Sequence, residues 1–239
     1  MPPTARPDTS RAKAALQVVL VAAILLVSLA LGQATRPAGR GLSPRDVAQG
    51  VLVGGGLLLG SVAVALAVSR ERWDTLGFRR EAPAAVLTRG LLGLGACYLL
   101  AGAGTVVYAL AAGLDPARLA AEKTAALSGF AALPRALILP LSLFTGVYEE
   151  LVFRGFFLSR LRAALSRSPR DHAAAAGAVV LSSALFAVGH LYQSMLGVVQ
   201  TFAIGLVLGA LAVRRGNVWP CVVAHTGINL IGMIALRFT

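Results

Sequence analysis

Three formal charges lie inside one long apolar stretch, and they constrain this chain more than any other feature. The stretch begins near Leu133 and is long enough to cross a membrane, yet it contains Glu149, Glu150 and Arg154. A charged side chain near the bilayer centre costs about 2.5–3.5 kcal/mol on insertion scales. We therefore expect the three groups to face protein or water and to mark a functional site, rather than to anchor a helix end at the interface.

Helical spacing separates the two glutamates. Glu150 and Arg154 are four residues apart, so they share a helix face, and the acidic residue comes first, which is the more favourable order. Glu149 is turned about 100° away and has no partner within its own helix. We predict that Arg154 neutralises Glu150. Glu149 is then the carboxylate that can act as a general base, with a partner from elsewhere in the chain.

The composition excludes a soluble globular domain. Of the 239 residues, 57% are hydrophobic and only 13% are charged, whereas soluble domains have about 25% charged residues. The net charge of +12 comes from basic residues clustered between apolar runs, which is typical of membrane proteins that contact anionic lipid. We expect membrane lipid as a partner and no nucleic acid. Cys97 and Cys221 lie in apolar runs and predict no disulfide framework.

The apolar runs predict an all-α, polytopic transmembrane helix bundle of about seven spans. The runs cover residues 14–32, 47–69, 86–112, 133–158, 173–191, 195–213 and 218–236. A loop is predicted over 113–132. The arginine-rich segments 70–85, 160–171 and 214–215 are expected to face the cytoplasm because basic loops are retained there. The loop 33–46 also contains arginines and fits this orientation poorly.

Candidate partners for the free carboxylate lie on the later apolar runs. Phe186 and His190 are four residues apart, and so are His225 and Asn229, so each pair shares a helix face. The first spacing lets a ring pack on the imidazole, and the second presents an imidazole and a carboxamide to one point. Either histidine alone is explained by an interhelical hydrogen bond. Two histidines and an amide beside a spare glutamate favour a functional site, while His172 is given no role.

Three short motifs follow one another on these runs: Glu149-Glu150-x-x-x-Arg154, Phe186-x-x-x-His190 and His225-x-x-x-Asn229. The ordered set resembles the motifs of the CPBP family, which includes CAAX-type prenyl-protein endopeptidases and bacteriocin-processing or immunity proteins. The resemblance covers about residues 133–236. Composition and apolar runs predict a cytoplasmic tail over 1–13 and N-terminal transmembrane helices over 14–132. The resemblance adds a CPBP-like catalytic core of four helices over 133–239.

The resemblance implies an intramembrane glutamic endopeptidase with an all-helical fold. We expect it in the cell membrane, with its active site in a polar cavity open to the cytoplasm, because the reaction needs water. The resemblance also implies that Glu149 and His190 activate water and that His225 and Asn229 form the oxyanion hole. The supporting residues would be Glu150, Arg154 and Phe186. No cofactor and no metal are implied. The substrate would be a membrane-associated peptide or protein, such as a prenylated protein or a bacteriocin leader.

Other functions fit parts of the same pattern. Glu149, His190 and His225 could be three zinc ligands, although the chain has no His-Glu-x-x-His motif. A rhomboid-type serine protease would use Ser182 or Ser183, but no Gly-x-Ser-x-Gly sequence surrounds them. A transporter would need paired broken helices or repeats, which the sequence does not show. A non-enzymatic immunity or scaffold protein of the family would keep the motifs without activity.

Overall fold

The chain folds into a bundle of apolar helices. The structure is a computed structural model that describes residues 7–34, 43–168 and 171–238. Within those ranges the regular structure is entirely helical. Five helical stretches are long and apolar enough to cross a membrane, and two shorter apolar helices, His172–Val188 and Trp219–Ala235, accompany them. The predicted all-α membrane bundle is therefore confirmed.

The helices in chain order are α1 (Pro7–Ala34), α2 (Pro44–Gln49), α3 (Gly55–Ser69), α4 (Pro83–Ala112), α5 (Pro116–Ala126), α6 (Ser128–Ala131), α7 (Arg135–Glu150), α8 (Leu158–Leu165), α9 (His172–Val188), α10 (Ser194–Arg215) and α11 (Trp219–Ala235). Wider π-helical turns join α2 to α3 over Gly50–Gly54 and α7 to α8 over Leu151–Phe157. Short 3-10 turns occupy Trp73–Leu76 and Leu191–Gln193.

The last five helices form the core around the acidic motif. Helix α10 lies between α9 and α4, α11 packs against α4 and α7, and α1 covers α8 and α3. Small residues allow the close contact of α10 with α9. A Cβ at Gly205 would lie 2.8 Å from the Cβ of Ser183, and one at Gly209 would lie 3.0 Å from a methyl group of Val179.

Two predicted segment boundaries are wrong. The predicted tail over 1–13 overlaps α1, which begins at Pro7, while residues 1–6 lie outside the described part of the chain. The predicted loop over 113–132 contains α5 and α6. Helix α5 starts there because the Asp115 carboxylate accepts a hydrogen bond from the Ala117 N–H at 3.0 Å and Pro116 occupies the first helical position. A search for membrane spans overlooks so short a helix.

Basic segments that are far apart in sequence meet at one end of the bundle, here called the arginine-rich end. Arg11 Nε donates to the Ala164 carbonyl at 3.0 Å, and Glu71 pairs with Lys13 at 2.9 Å and also with Arg160. Burial alone would raise the pKa of Glu71. The hydrogen bond from Lys13 and the charge of Arg160 outweigh that effect, so the pKa lies below its ordinary value.

We expect the arginine-rich end to face the cytoplasm, because basic loops are retained there. An Arg167→Cys variant should react with a membrane-impermeant maleimide from the cytoplasmic side. A Glu122→Cys variant, in α5 at the opposite end, should react only from the other side. The native Cys97 and Cys221 are 0% exposed, so labelling reports the introduced thiol. Reaction of Arg167→Cys from the outer side would reverse this orientation.

Gly146 allows α7 and α11 to touch beside the acidic motif. A Cβ at this position would lie 2.3 Å from Thr226 Oγ1 and 3.1 Å from the Thr226 backbone nitrogen. A Cβ at Gly56, in α3, would meet nothing within 4 Å. We predict that Gly146→Ala lowers the free energy of unfolding by about 1–3 kcal/mol through overpacking. Gly56→Ala should be neutral in the same thermal unfolding assay in detergent, and equal losses would contradict this account.

Candidate active site

The end of α7 carries both glutamates, and one of them is sealed from solvent. Glu150 is 0% exposed. Its Oε1 accepts from Arg154 Nη1 at 2.8 Å and also lies 2.7 Å from His225 Nδ1. The pair with Arg154 forms as the spacing predicts, even though Arg154 lies in the π-helical turn. The third member, His225, comes from α11 and joins the pair across the helix interface.

Glu149 faces a different direction and keeps one oxygen available. The Tyr148 hydroxyl donates to Glu149 Oε1 at 2.9 Å. No side chain or backbone group of the described residues hydrogen-bonds Oε2, which lies 3.7 Å from His190 Nε2 and 3.6 Å from His225 Nε2. These separations are longer than direct hydrogen bonds, and they place the three atoms within reach of one shared water.

His190 reaches the depth of Glu149 because α9 is short. The sequence predicts a span over 173–191, but the structure ends α9 at Val188 after 17 residues. The stretch that holds Glu149, Arg135–Leu165, has 31 residues, so Glu149 lies near its middle. His190 follows α9 in a turn, where its Nδ1 lies 2.8 Å from the Phe186 carbonyl oxygen. The two helices therefore bring both side chains to one level.

Phe186 is the apolar contact shared by the site. The guanidinium of Arg154 lies 4.3 Å from the centroid of the Phe186 ring, a cation–π arrangement. The His190 ring packs on Phe186 edge to face at 4.6 Å between centroids, and the His225 ring does so at 5.5 Å. The predicted packing of Phe186 on His190 is thus present. The same ring also fixes the other imidazole and covers the buried ion pair.

Asn229 lies one turn beyond His225 and contacts α7. Its Nδ2 donates to Thr145 Oγ1 at 2.8 Å, and the Thr145 hydroxyl donates in turn to the Leu141 carbonyl at 2.8 Å. A carboxamide has two N–H donors, so one remains for another partner. The sequence analysis missed Thr145. Helical spacing could have found it, because Thr145 precedes Glu149 by four residues and shares its face. No spacing rule points to Tyr148.

The two serines considered in the sequence analysis both hydrogen-bond to backbone. Ser182 Oγ donates to the Phe153 carbonyl at 2.7 Å, and Ser183 Oγ donates to the Val179 carbonyl at 2.7 Å. Phe153 lies in the π-helical turn after α7, where the wider turn changes the helix's own hydrogen bonding. The Ser182 bond therefore joins α9 to the π-helical turn, the Ser183 bond lies within α9, and both hydroxyls are engaged with backbone rather than presented as a nucleophile. His172 is the first residue of α9.

A cavity of about 920 Å³ leads to the acidic motif. Its walls are mostly apolar and come from α1, the α2–α3 stretch, α10 and α11. The inner wall carries Glu149, His190, His225 and Asn229. The outer wall includes Asp46 and residues of α5, α6 and the last turn of α11, all at the end of the bundle opposite the arginine-rich end. The sequence predicts that both the arginine-rich end and the active-site opening face the cytoplasm. These two predictions are therefore incompatible.

Residues 131–231 match the family model described as type II CAAX prenyl endopeptidase, Rce1-like. The match supports the CPBP/CAAX protease family for this segment of the chain. No significantly similar curated protein or solved structure was found. The CPBP/CAAX protease segment runs from the end of α6 into α11 and contains all the site residues predicted from the sequence. Helices α1–α5 lie outside this segment, but α1 and the α2–α3 stretch supply much of the cavity wall.

The two glutamates should respond differently to the same substitution. We predict that Glu150→Gln lowers the free energy of unfolding by about 3–5 kcal/mol, because it leaves Arg154 buried without its carboxylate. Glu149→Gln should leave the CPBP/CAAX protease fold intact, since Glu149 Oε2 holds no described protein group. Thermal unfolding and the yield of monodisperse protein in detergent measure both effects. Equal loss of folded protein in both variants would remove the distinction.

Proposed function

We propose that this chain is an intramembrane glutamic endopeptidase, in which Glu149 and His190 activate water to hydrolyse a peptide bond. The observation that supports this most is the position of Glu149 Oε2. It lies between the Nε2 atoms of His190 and His225 at the inner end of an apolar cavity. The match to a family of CAAX prenyl endopeptidases supports a protease at the same site.

The hydrogen bond of His190 sets which nitrogen faces the water. A carbonyl oxygen only accepts, so the neutral His190 ring carries its hydrogen on Nδ1, toward Phe186. Nε2 then presents a lone pair, as does Glu149 Oε2. A water between these two acceptors donates one hydrogen to each and keeps its own lone pairs directed elsewhere. That is the orientation needed for attack on a carbonyl carbon.

The charge of the site assigns a different role to His225. Glu149 and Glu150 carry two negative charges and Arg154 one positive charge, which leaves one negative charge in a dry surround. In the proposed mechanism His225 carries a hydrogen on both ring nitrogens, with Nδ1–H donating to Glu150 and Nε2–H directed toward Glu149. Only in this form is Nε2 a donor that can stabilise an oxyanion. The free N–H of Asn229 provides the second donor.

The proposed reaction needs no covalent intermediate. Water adds to the carbonyl carbon while its proton passes to Glu149, and the carbonyl oxygen gains negative charge that His225 and Asn229 stabilise. Glu149 then returns the proton to the leaving amine as the C–N bond breaks. The products are a carboxylic acid and an amine, and Glu149 is again ionised. The buried Glu150–Arg154 pair holds the His225 ring in place throughout.

The cavity walls point to the class of substrate. Most of the lining is apolar, and its mouth lies among helices that are apolar enough to cross a membrane. A peptide attached to or inserted in the bilayer reaches such a site more readily than a soluble one, because its apolar part is already in the lipid. We propose a membrane-associated or lipidated peptide in the cell membrane. A prenylated protein fits a cavity that faces the cytoplasm, and an exported peptide such as a bacteriocin leader fits one that faces the other side.

Cleavage in proteoliposomes tests the proposal. We expect the wild-type chain to cleave members of a quenched-fluorescent peptide library that carry a lipid or apolar anchor. Glu149→Gln should abolish cleavage, and Asn229→Ala should lower turnover by about 10²–10³-fold by removing one oxyanion donor. Glu122→Gln is the matched control, because it makes the same chemical change at an exposed position outside the cavity lining. Wild-type turnover in Glu149→Gln would refute the mechanism.

A zinc peptidase is the second candidate, and the same atoms favour it. Metal-bound histidines usually donate their other ring N–H to a carboxylate or carbonyl, as the Nδ1 atoms of His190 and His225 do here. Among the residues that the structure describes, however, no three His, Cys, Asp or Glu side chains are grouped as metal ligands. Metal analysis of the purified protein decides between the two. Stoichiometric zinc, with activity lost to a chelator and restored by zinc, would favour the metal mechanism.

A further inference from the structure

One lysine stands apart from the rest of the cavity lining. Lys123 comes from α5 and is half-buried in the cavity wall, on the mouth side of the acidic motif. Among the described lining residues it is the only lysine, and no arginine accompanies it. The carboxylates in the lining are Glu149 at the inner end and Asp46 near the mouth. Lys123 is therefore the one ammonium group in the described, mostly apolar lining of this cavity.

A chain of hydrogen bonds across three helices holds Lys123 in place. Its Nζ donates to Gln200 Oε1 in α10. Gln200 Nε2 donates to Thr105 Oγ1 in α4 at 2.8 Å, and the Thr105 hydroxyl donates to the Ala101 carbonyl at 2.9 Å. The last bond leaves the Thr105 oxygen as an acceptor, which fixes the carboxamide so that its oxygen faces the lysine. The ammonium is thus oriented by a neutral group rather than by a counter-ion.

No carboxylate of the described residues pairs with Lys123. The ion pairs in the described ranges involve other cations, and the neighbouring glutamate, Glu122, pairs with Arg118 at 3.1 Å. Burial lowers the pKa of Lys123, because desolvation penalises its charged form. An ammonium has three N–H donors, and Gln200 accepts one. A partly desolvated cation with unused donors favours an anionic ligand.

The helix that carries Lys123 packs against the loop that contains His190. Helices α5 and α10 both pack against the 3-10 turn Leu191–Gln193, which directly follows His190. Within that turn, the Tyr192 ring stacks on His190 at 5.7 Å between centroids and on Phe130 at 6.1 Å. This row of rings forms a continuous wall from the site toward α6. Lys123 and Glu149 both line this cavity, so a peptide that fills it contacts the acidic motif and the lysine.

We propose that Lys123 binds the C-terminal carboxylate of the peptide substrate, so that the cavity accepts the end of a chain and not an internal loop. The proposal rests on the proposed peptidase function of the same cavity. A carboxylate fits better than a phosphate, because one ammonium and one neutral amide match a single negative charge. Holding the carboxylate there also sets how many residues lie beyond the scissile bond, since binding at a fixed distance orients the peptide.

Paired peptides with a free C-terminal carboxylate or a C-terminal amide test this directly. We expect wild type to cleave the acid with kcat/KM about tenfold to a hundredfold above that of the amide, as for hydrogen bonds to charged groups. Lys123→Gln should lose that preference while cleaving the amide as wild type does. A third peptide, an amide with aspartate as its last residue, separates the two sources of a carboxylate. Cleavage as fast as that of the acid would assign Lys123 to an acidic side chain and overturn the proposal.

Three further variants separate recognition from structure. Arg118→Gln removes the same charge from the exposed face of α5 and should leave the preference for the acid unchanged. Lys123→Arg keeps the charge and should retain most of it. Gln200→Glu gives Lys123 a counter-ion within the protein and should abolish the preference without removing the lysine. A preference that survives in Gln200→Glu would contradict the proposed role.

Binding of the same peptides to Glu149→Gln tests Lys123 without turnover. The acid should bind about tenfold or more tightly than the amide, and adding Lys123→Gln should make the two equal. Equal binding and equal wild-type cleavage of acid and amide would overturn the role of Lys123 while leaving the peptidase function standing. No wild-type cleavage of any peptide, with tighter binding of the acid retained, would instead refute the peptidase function alone.

Discussion

The buried carboxylate of Glu150 is the interaction on which the rest of the site depends. It accepts from Arg154 in its own helical stretch and from His225 in α11, and it is 0% exposed. An unpaired charge in that position would cost several kcal/mol, so both partners must be present for the bundle to close. By pairing with His225 rather than Arg154 alone, Glu150 ties the depth of α11 to that of α7. The His225 imidazole is thereby positioned by a folding constraint.

Contacts that involve the backbone around the site also both stabilise the bundle and align the site residues. Gly146 lets α11 approach until Thr226 touches α7, and Asn229 then reaches Thr145 one turn away. The π-helical turn after Glu150 lets the Phe153 carbonyl accept from Ser182 of α9. In a membrane-spanning bundle, polar atoms without water must find partners within the protein, and the bonds of Asn229 and Ser182 also join separate helical segments. Stability and alignment of the site therefore come from the same contacts.

The sequence could predict a contact only where the two residues are close together in the chain. The Glu150–Arg154 pair and the packing of Phe186 on His190 lie within one turn, so residue spacing alone predicted both. The bond from His225 to Glu150 joins residues 75 positions apart, and no rule of helical spacing contains it. Helix lengths were also out of reach, because hydropathy marks an apolar run but not the residue where a helix turns back.

The direction of the cavity bears on which peptides can reach Glu149. Basic residues are concentrated at the arginine-rich end, and the outer wall of the cavity lies at the other. Charge bias sets orientation through short loops of this kind, so it favours a mouth on the non-cytoplasmic side. A prenylated C-terminus made in the cytoplasm would not meet such a mouth, whereas an exported peptide or the end of a membrane-inserted segment would. Lys123, in the wall on the mouth side, then lies where the free end of such a peptide would enter.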